Sequence, residues 1–197
     1  DTANGAALLD FRLFNDTSEF TLIDGAYAFE QISGDNIKLV AASLGVDDPL
    51  VGITANTDHG DAGQVDALLN GSIALTETAG DLRIGRVEST TENVILEAAD
   101  TLANLSDVAS SDDGTVASVL GRSITLLADG FIGSATDFFE IDSSVPALGQ
   151  VRASANQSVF LTETAGKLNL DGVASNYGDV SLRTLSGSIL DGLVETD

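Results

Sequence analysis

Ser72-Ile-Ala-Leu-Thr-Glu-Thr-Ala-Gly-Asp-Leu-Arg-Ile84 returns 86 residues later as Ser158-Val-Phe-Leu-Thr-Glu-Thr-Ala-Gly-Lys-Leu-Asn-Leu170. The register continues without a gap through Val87 and Val173, Val94 and Val180, and Leu96 and Leu182. A match of this length, with the hydrophobic residues in step, marks an internal repeat. Repetition at a fixed interval is the signature of folds built by stacking one unit on the next. A shorter unit lies inside the long one: a small or polar residue, Ile or Val, any residue, then Leu. It occurs at 36–39, 72–75, 93–96, 123–126, 158–161 and 179–182. Ile73 and Val94 are 21 residues apart, as are Val159 and Val180, while the other gaps are 36, 30 and 35. The spacing predicts a coil of about 21 residues per turn, with loops inserted into some turns and these Ile and Val residues in one stacked column.

Each short unit alternates apolar and polar residues, the period of a half-buried strand. Leu82-Arg-Ile84, Leu168-Asn-Leu170 and Val180-Ser-Leu182 show it. Gly80, Gly166 and Gly187, with Asp-Gly and Asn-Gly pairs such as Asn70-Gly71 and Asp129-Gly130, mark turns, because these residues tolerate positive φ. Two stretches depart toward helical spacing: Val65 to Leu69, and Ala98 to Val108 with Leu102, Leu105 and Val108 three apart. An antiparallel sandwich has no need for the same residue types at one interval, whereas a stack of parallel rungs about 4.8 Å apart does. The predicted fold is therefore all-β, a parallel β-helix (β-solenoid) with inserted loops. On a single column Glu77 and Glu163 lie three rungs apart, roughly 14 Å, too far to share a site. Thr76, Thr78, Thr125, Thr162, Thr164 and Ser181 fall at outward positions, where hydroxyl and β-branched side chains pack on their equals above and below.

Composition narrows the function. Eight Lys and Arg face 31 Asp and Glu in 197 residues, a net charge of −23. Such a surface repels phosphate backbones and anionic membranes, so neither nucleic-acid binding nor membrane attraction is expected. No run of about eighteen apolar residues occurs, so no membrane insertion is expected. The 43% apolar content supplies a core, and the absence of Cys removes disulfides and thiolate metal sites.

The strings at 72–82 and 158–168, with Gly187-Ser-Ile-Leu-Asp-Gly192, resemble the repeats of very large bacterial surface proteins of the filamentous haemagglutinin-like, right-handed parallel β-helix type. The likeness runs from Asn36 to the C-terminus and is one of repeat style. It implies secretion, an extracellular or cell-surface location and an adhesive or scaffolding role. Residues 1–35 match the style poorly and hold 4 of the 8 Phe, which suits an N-terminal cap or irregular first rungs. Residues 36–197 are the solenoid rungs. The repeat style persists at 179–192, so this end is expected to run on into further polypeptide or to abut another subunit.

Candidate sites are few. Asp47, Asp48, Asp58, Asp61, Asp112 and Asp113 offer the carboxylate oxygens that Ca²⁺ prefers, which makes Ca²⁺ the candidate cofactor. No EF-hand or calcium-binding nonapeptide pattern accompanies them. His59, within Thr57-Asp-His-Gly-Asp61, has no second His or Cys to join it and reads as part of a solvated loop. Asn15, Asn70, Asn104 and Asn156 begin glycosylation sequons, and the outward Ser and Thr residues offer contacts to glycans. A glycosidase needs paired carboxylates across a groove, and a lyase acting on acidic sugars needs clustered basic residues. Here only Arg83 and Arg86 lie close in sequence, so no enzymatic activity is expected. The expected function is structural or adhesive, with partners that are further copies, other surface-protein subunits or glycans. A polysaccharide-acting β-helix enzyme and a carbohydrate-binding module are the alternatives, distinguished by a basic groove and by exposed aromatic residues respectively.

Overall fold

The computed structural model describes residues 32–33, 36–41, 53–57, 63–104 and 114–192. Among them lie sixteen strands and no helix. The first eight are β1 (Ile32–Ser33), β2 (Asn36–Ala41), β3 (Ile53–Asn56), β4 (Gln64–Leu69), β5 (Ile73–Glu77), β6 (Leu82–Ser89), β7 (Val94–Ala98) and β8 (Leu102–Asn104). The second eight are β9 (Val119–Leu120), β10 (Ile124–Ala128), β11 (Phe139–Asp142), β12 (Val151–Ala155), β13 (Val159–Glu163), β14 (Leu168–Ser175), β15 (Val180–Thr184) and β16 (Ile189–Asp191).

Every pairing among the described strands is parallel, and the chain alternates between two sheets as it winds. One sheet runs β1-β3-β5-β7-β10-β12-β14-β16; the other runs β15-β13-β11-β9-β6-β4-β2, with β8 also on β6. Period-two alternation turns every second residue inward, so β5, β7 and β10 each read buried, half-buried or exposed, buried. Inward residues stack in columns: Ile73, Val94, Ile124 and Val151 on one sheet, and Leu82, Leu102, Ile132, Val159 and Val180 on the other. Residues from both sheets join in one apolar core. Gly80, Gly166 and Gly187 take φ of 69°, 77° and 88° at the corners, a region that favours glycine.

The 21-residue turn is present, since Ile73 pairs with Val94 and Val159 with Val180. The single column is not. Ile37 stacks on Val65 rather than on Ile73, and Ile124 on Val151 rather than on Val159. Each turn holds two strands of the same residue style, so gaps of 36 and 35 cross from one sheet to the other. Glu77 on β5 and Glu163 on β13 accordingly lie in opposite sheets, not three rungs apart in one. The helical spacings also fail: Val65 to Leu69 lies within β4, and Leu102 begins β8. Inward packing at both places follows the two-residue period. Leu105 and Val108 lie outside the described residues.

The repeat is a duplication of the whole described architecture. β3, β5, β6 and β7 recur 86 residues later as β11, β13, β14 and β15 with identical lengths. Across that interval the sheets exchange roles, because β3, β5 and β7 belong to one sheet and β11, β13 and β15 to the other. The exchange occurs between β8 and β9, which share one rung: β8 pairs with the first half of β6 and β9 with its second half. The next rung is split in the same way, with Ile132 and β11 separated by residues 133–138.

Leu126 lies in the inward column between Leu96 and Ala153 and is fully buried. Leu126→Ala is expected to destabilise by about 2–5 kcal/mol, the range for an unfilled aliphatic cavity, in urea unfolding. Its outward neighbour Thr125, half-buried, is expected to cost under ~1 kcal/mol as Thr125→Ala. Equal losses at the two positions would contradict the inward column.

Candidate functional site

The Thr-Glu-Thr-Ala-Gly segments of the two halves build the same device. Glu77 and Glu163 end β5 and β13 in phase with the inward residues of those strands, and both are buried. The Glu77 carboxylate accepts from Thr57, whose N–H lies 3.0 Å and whose Oγ1 lies 2.8 Å from Oε2. The Glu163 carboxylate accepts from Ser143, whose N–H lies 3.0 Å from Oε1 and whose Oγ lies 2.6 Å from Oε2. Thr57 and Ser143 are themselves 86 residues apart, at the turn one rung earlier. The duplication extends to neighbouring bonds. Thr78 Oγ1 donates to Ala55 O (3.2 Å) as Thr164 Oγ1 does to Ile141 O (3.1 Å). Ser89 Oγ donates to Gly71 O (2.8 Å) as Ser175 Oγ does to Gln157 O (2.7 Å).

Burial pushes the Glu77 carboxyl above its ordinary range, and the Thr57 hydrogen bonds pull it partly back. Burial pushes Glu163 up to about 7, against the hydrogen bonds from Ser143 and with help from the nearby Asp142 charge. Each carboxyl fastens a corner to the rung beneath it, satisfying a buried main-chain donor and a buried hydroxyl. Period two, counted from Ile73 or Val159, is the signal that places both glutamates inside.

A second cluster sits on the outer face of β11, β13 and β15. Glu140, Thr162 and Arg183 are register partners across three rungs. Arg183 Nε donates to Thr162 Oγ1 at 2.6 Å, one guanidinium nitrogen lies 3.7 Å from Glu140 Oε1, and Cζ lies 4.2 Å from the Phe138 ring centre. Phe138 meets Phe160 edge-on at 5.4 Å. Thr162, expected to face outward, does so yet is fully buried, because this cluster covers it. A depression of about 200 Å³ on the other sheet is lined by Glu97, Leu127, Asp129, Ser154 and Asn156 among others, with no Arg or Lys in its lining.

The end of the stack is the third feature. Val159 and Leu168 are 0% exposed, whereas Val180 and Ile189, their register partners on the last described rung, are each 45% exposed. Leu182 is only partly buried, although its partner Leu161 is fully so. At the opposite end Ile37 and Leu39 of β2 are 1% and 3% exposed.

Asp47, Asp48, Asp58, Asp61, Asp112 and Asp113, like His59, lie outside the described residues. Among the described residues no group of three or more His, Cys, Asp or Glu side chains is placed to hold a metal. No family profile, curated protein or solved structure matches the chain. The two carboxyl sockets and the open end are what the duplicated geometry itself singles out.

Glu163 supplies a pH test. Between 4.5 and about 7 the folded chain holds a proton that the unfolded chain has released. Stability present below pH 4.5 is therefore lost as pH rises to about 7, by roughly 3 kcal/mol at 1.36 kcal/mol per pKa unit. Glu163→Gln is expected to remove this slope, so its stability relative to the parent climbs across the window and levels off above it. Urea unfolding at several pH values reads the difference; a constant offset would mean that the buried carboxyl binds no proton in this range.

Proposed function

We propose that the chain is a structural element: a right-handed parallel β-helix segment of a secreted bacterial surface or extracellular-matrix protein. It acts in adhesion or scaffolding by assembling into a filament or layer. The observation that carries this reading is the last described rung, where Val180 and Ile189 stand half exposed and Leu182 partly buried against fully buried partners. Half-exposed ladder residues on the last described strands favour a further rung over them. Within a stack the same residue types are covered by the next turn, so the end has the chemistry of an interior joint.

Sedimentation of the purified chain across a concentration series tests the reading. Association through this end is expected, and Val180→Lys with Ile189→Lys, which place charges on the open column, is expected to leave the chain monomeric with an unchanged far-UV spectrum. A parent chain that stays monomeric throughout would reject assembly through the end, and turnover of a polysaccharide would favour the enzymatic alternative.

The acidic surface adds a second expectation. With a net charge of −23, mutual repulsion opposes the compact state. Calcium is proposed to relieve it: millimolar Ca²⁺ is expected to raise the melting temperature above that in sodium at matched ionic strength. Identical melting temperatures would leave the acids as a solvated surface only.

A further inference from the structure

The corner between β4 and β5 is duplicated with one difference that changes its chemistry. It reads Asn70-Gly71-Ser72 in the first copy and, between β12 and β13, Asn156-Gln157-Ser158 in the second. The bonds to the next rung correspond. Leu69 O accepts from Thr90 N–H as Ala155 O does from Asn176 N–H, both at 3.0 Å. Ser89 Oγ and Ser175 Oγ donate to the carbonyls of Gly71 and Gln157 at 2.8 and 2.7 Å. Each asparagine's side-chain carbonyl also accepts from that rung: Asn70 Oδ1 from Thr90 Oγ1 at 2.7 Å, and Asn156 Oδ1 from Asn176 Nδ2 at 2.6 Å.

The main-chain nitrogen that follows the asparagine is where the two corners part. Gln157 N–H donates to Gly130 O at 2.9 Å, and its residue carries a side chain. Gly71 carries none, and a Cβ placed there would meet nothing within 4 Å. The carbonyls of Leu69, Asn70 and Gly71 are tied to Thr90 N–H, Thr91 Oγ1 and Ser89 Oγ, whereas Gly71 N–H donates to no described residue. Asn70 itself is exposed. Its carboxamide thus stands in water beside a free and unhindered nitrogen. Asn4-Gly5, the other Asn-Gly pair of the sequence, lies outside the described residues.

We propose that Asn70 is a self-modification site, converting without an enzyme to aspartate and isoaspartate. The Gly71 nitrogen gives its proton to solvent base and attacks Asn70 Cγ. The N–Cγ bond forms, the Cγ–Nδ2 bond breaks, and Nδ2 leaves as ammonia with a proton from water. The product is a five-membered cyclic imide, which water then opens. Breaking the new N–Cγ bond leaves an aspartate; breaking the bond from nitrogen to the main-chain carbonyl carbon routes the chain through the side chain as isoaspartate. No oxidation or reduction is involved. Thr90 Oγ1 donates to the oxygen on which negative charge builds during the attack. Either product adds a carboxylate to a chain already at −23. Isoaspartate also lengthens the main chain by one methylene, which draws Gly71 O away from the hydroxyl of Ser89, a fully buried residue. The first corner therefore weakens with age while its duplicate does not. This inference is independent of the assembly reading.

The test incubates the purified full chain at mildly alkaline pH and follows each asparagine by peptide mapping with tandem mass spectrometry. A synthetic peptide of residues 66–75 gives the rate without the fold. Asn70 is expected to convert at a rate comparable to the peptide and about tenfold or more faster than Asn156, whose following residue has a side chain. Gly71→Gln, which copies the second corner into open space, is expected to keep Asn70 as the amide with an unchanged far-UV spectrum. Thr90→Val is expected to slow conversion severalfold, and the aged chain is expected to melt below the fresh one. An Asn70 that stays intact while the peptide converts, or equal conversion of Asn70 and Asn156, would overturn the proposal. An unchanged rate in Thr90→Val would overturn the part given to the hydroxyl.

Discussion

Parallel pairing between successive turns is the interaction on which the rest of this structure depends. A rung about 4.8 Å from the next cannot bury its inward side chains alone. Val94 is covered because Ile73 lies on one side of it and Ile124 on the other. At Val180, where a described rung lies on one side only, the same kind of residue is half exposed. Burial is thus shared between rungs, and the last described rung differs from the inner ones in described neighbours rather than in residue type.

This sharing explains how the chain tolerates its insertions. Residues 105–118 lie in sequence between β8 and β9, which share one rung, so Leu102 and Val119 still fill positions over Leu82 and Val87. The 133–138 excursion leaves Ile132 and Phe139 in their columns in the same way. An insertion at a rung's outer face costs loop entropy, which grows slowly with length, but leaves the ladder contacts intact. Residue 138 shows the use made of one excursion: its ring lies under Arg183 and against Phe160.

The sequence makes the strands, the 21-residue turn and the corner glycines legible, because an inward Ile-x-Leu pair and a positive-φ glycine each leave a local mark. The face on which a strand sits leaves none. Strands on the two sheets use the same residue style, so the offset of Val159 from Ile73 looks like three turns when it is three and a half. Burial of the two glutamates is less legible, because a strand that ends at a corner can equally turn an acid toward water. Their phase with Ile73 and Val159 was visible, but the donors that make burial tolerable, Thr57 and Ser143, lie twenty residues earlier. The repeat style at 179–192 is matched by the pairing there, since β16 lies on the first half of β14 as β8 lies on the first half of β6.

Stacking also constrains the charges. Like charges directly opposed on adjacent strands destabilise a sheet, and a chain with 31 acids runs that risk on every rung. In the described strand registers no carboxylate has another as its direct partner. Asp66 lies between Lys38 and Arg86, Glu88 between Leu68 and Leu120, Glu97 between Thr76 and Leu127, and Glu140 is two rungs from Arg183 across Thr162. Several of the acids that remain stand at corners, where Asp81, Asp100, Asp129 and Asp179 flank turns. Neighbouring rungs can fan apart there and water can screen them. The described ladders therefore set no carboxylate directly against another, and the nearest approach to such repulsion is the Asp142 charge that helps to raise the Glu163 pKa from the neighbouring strand.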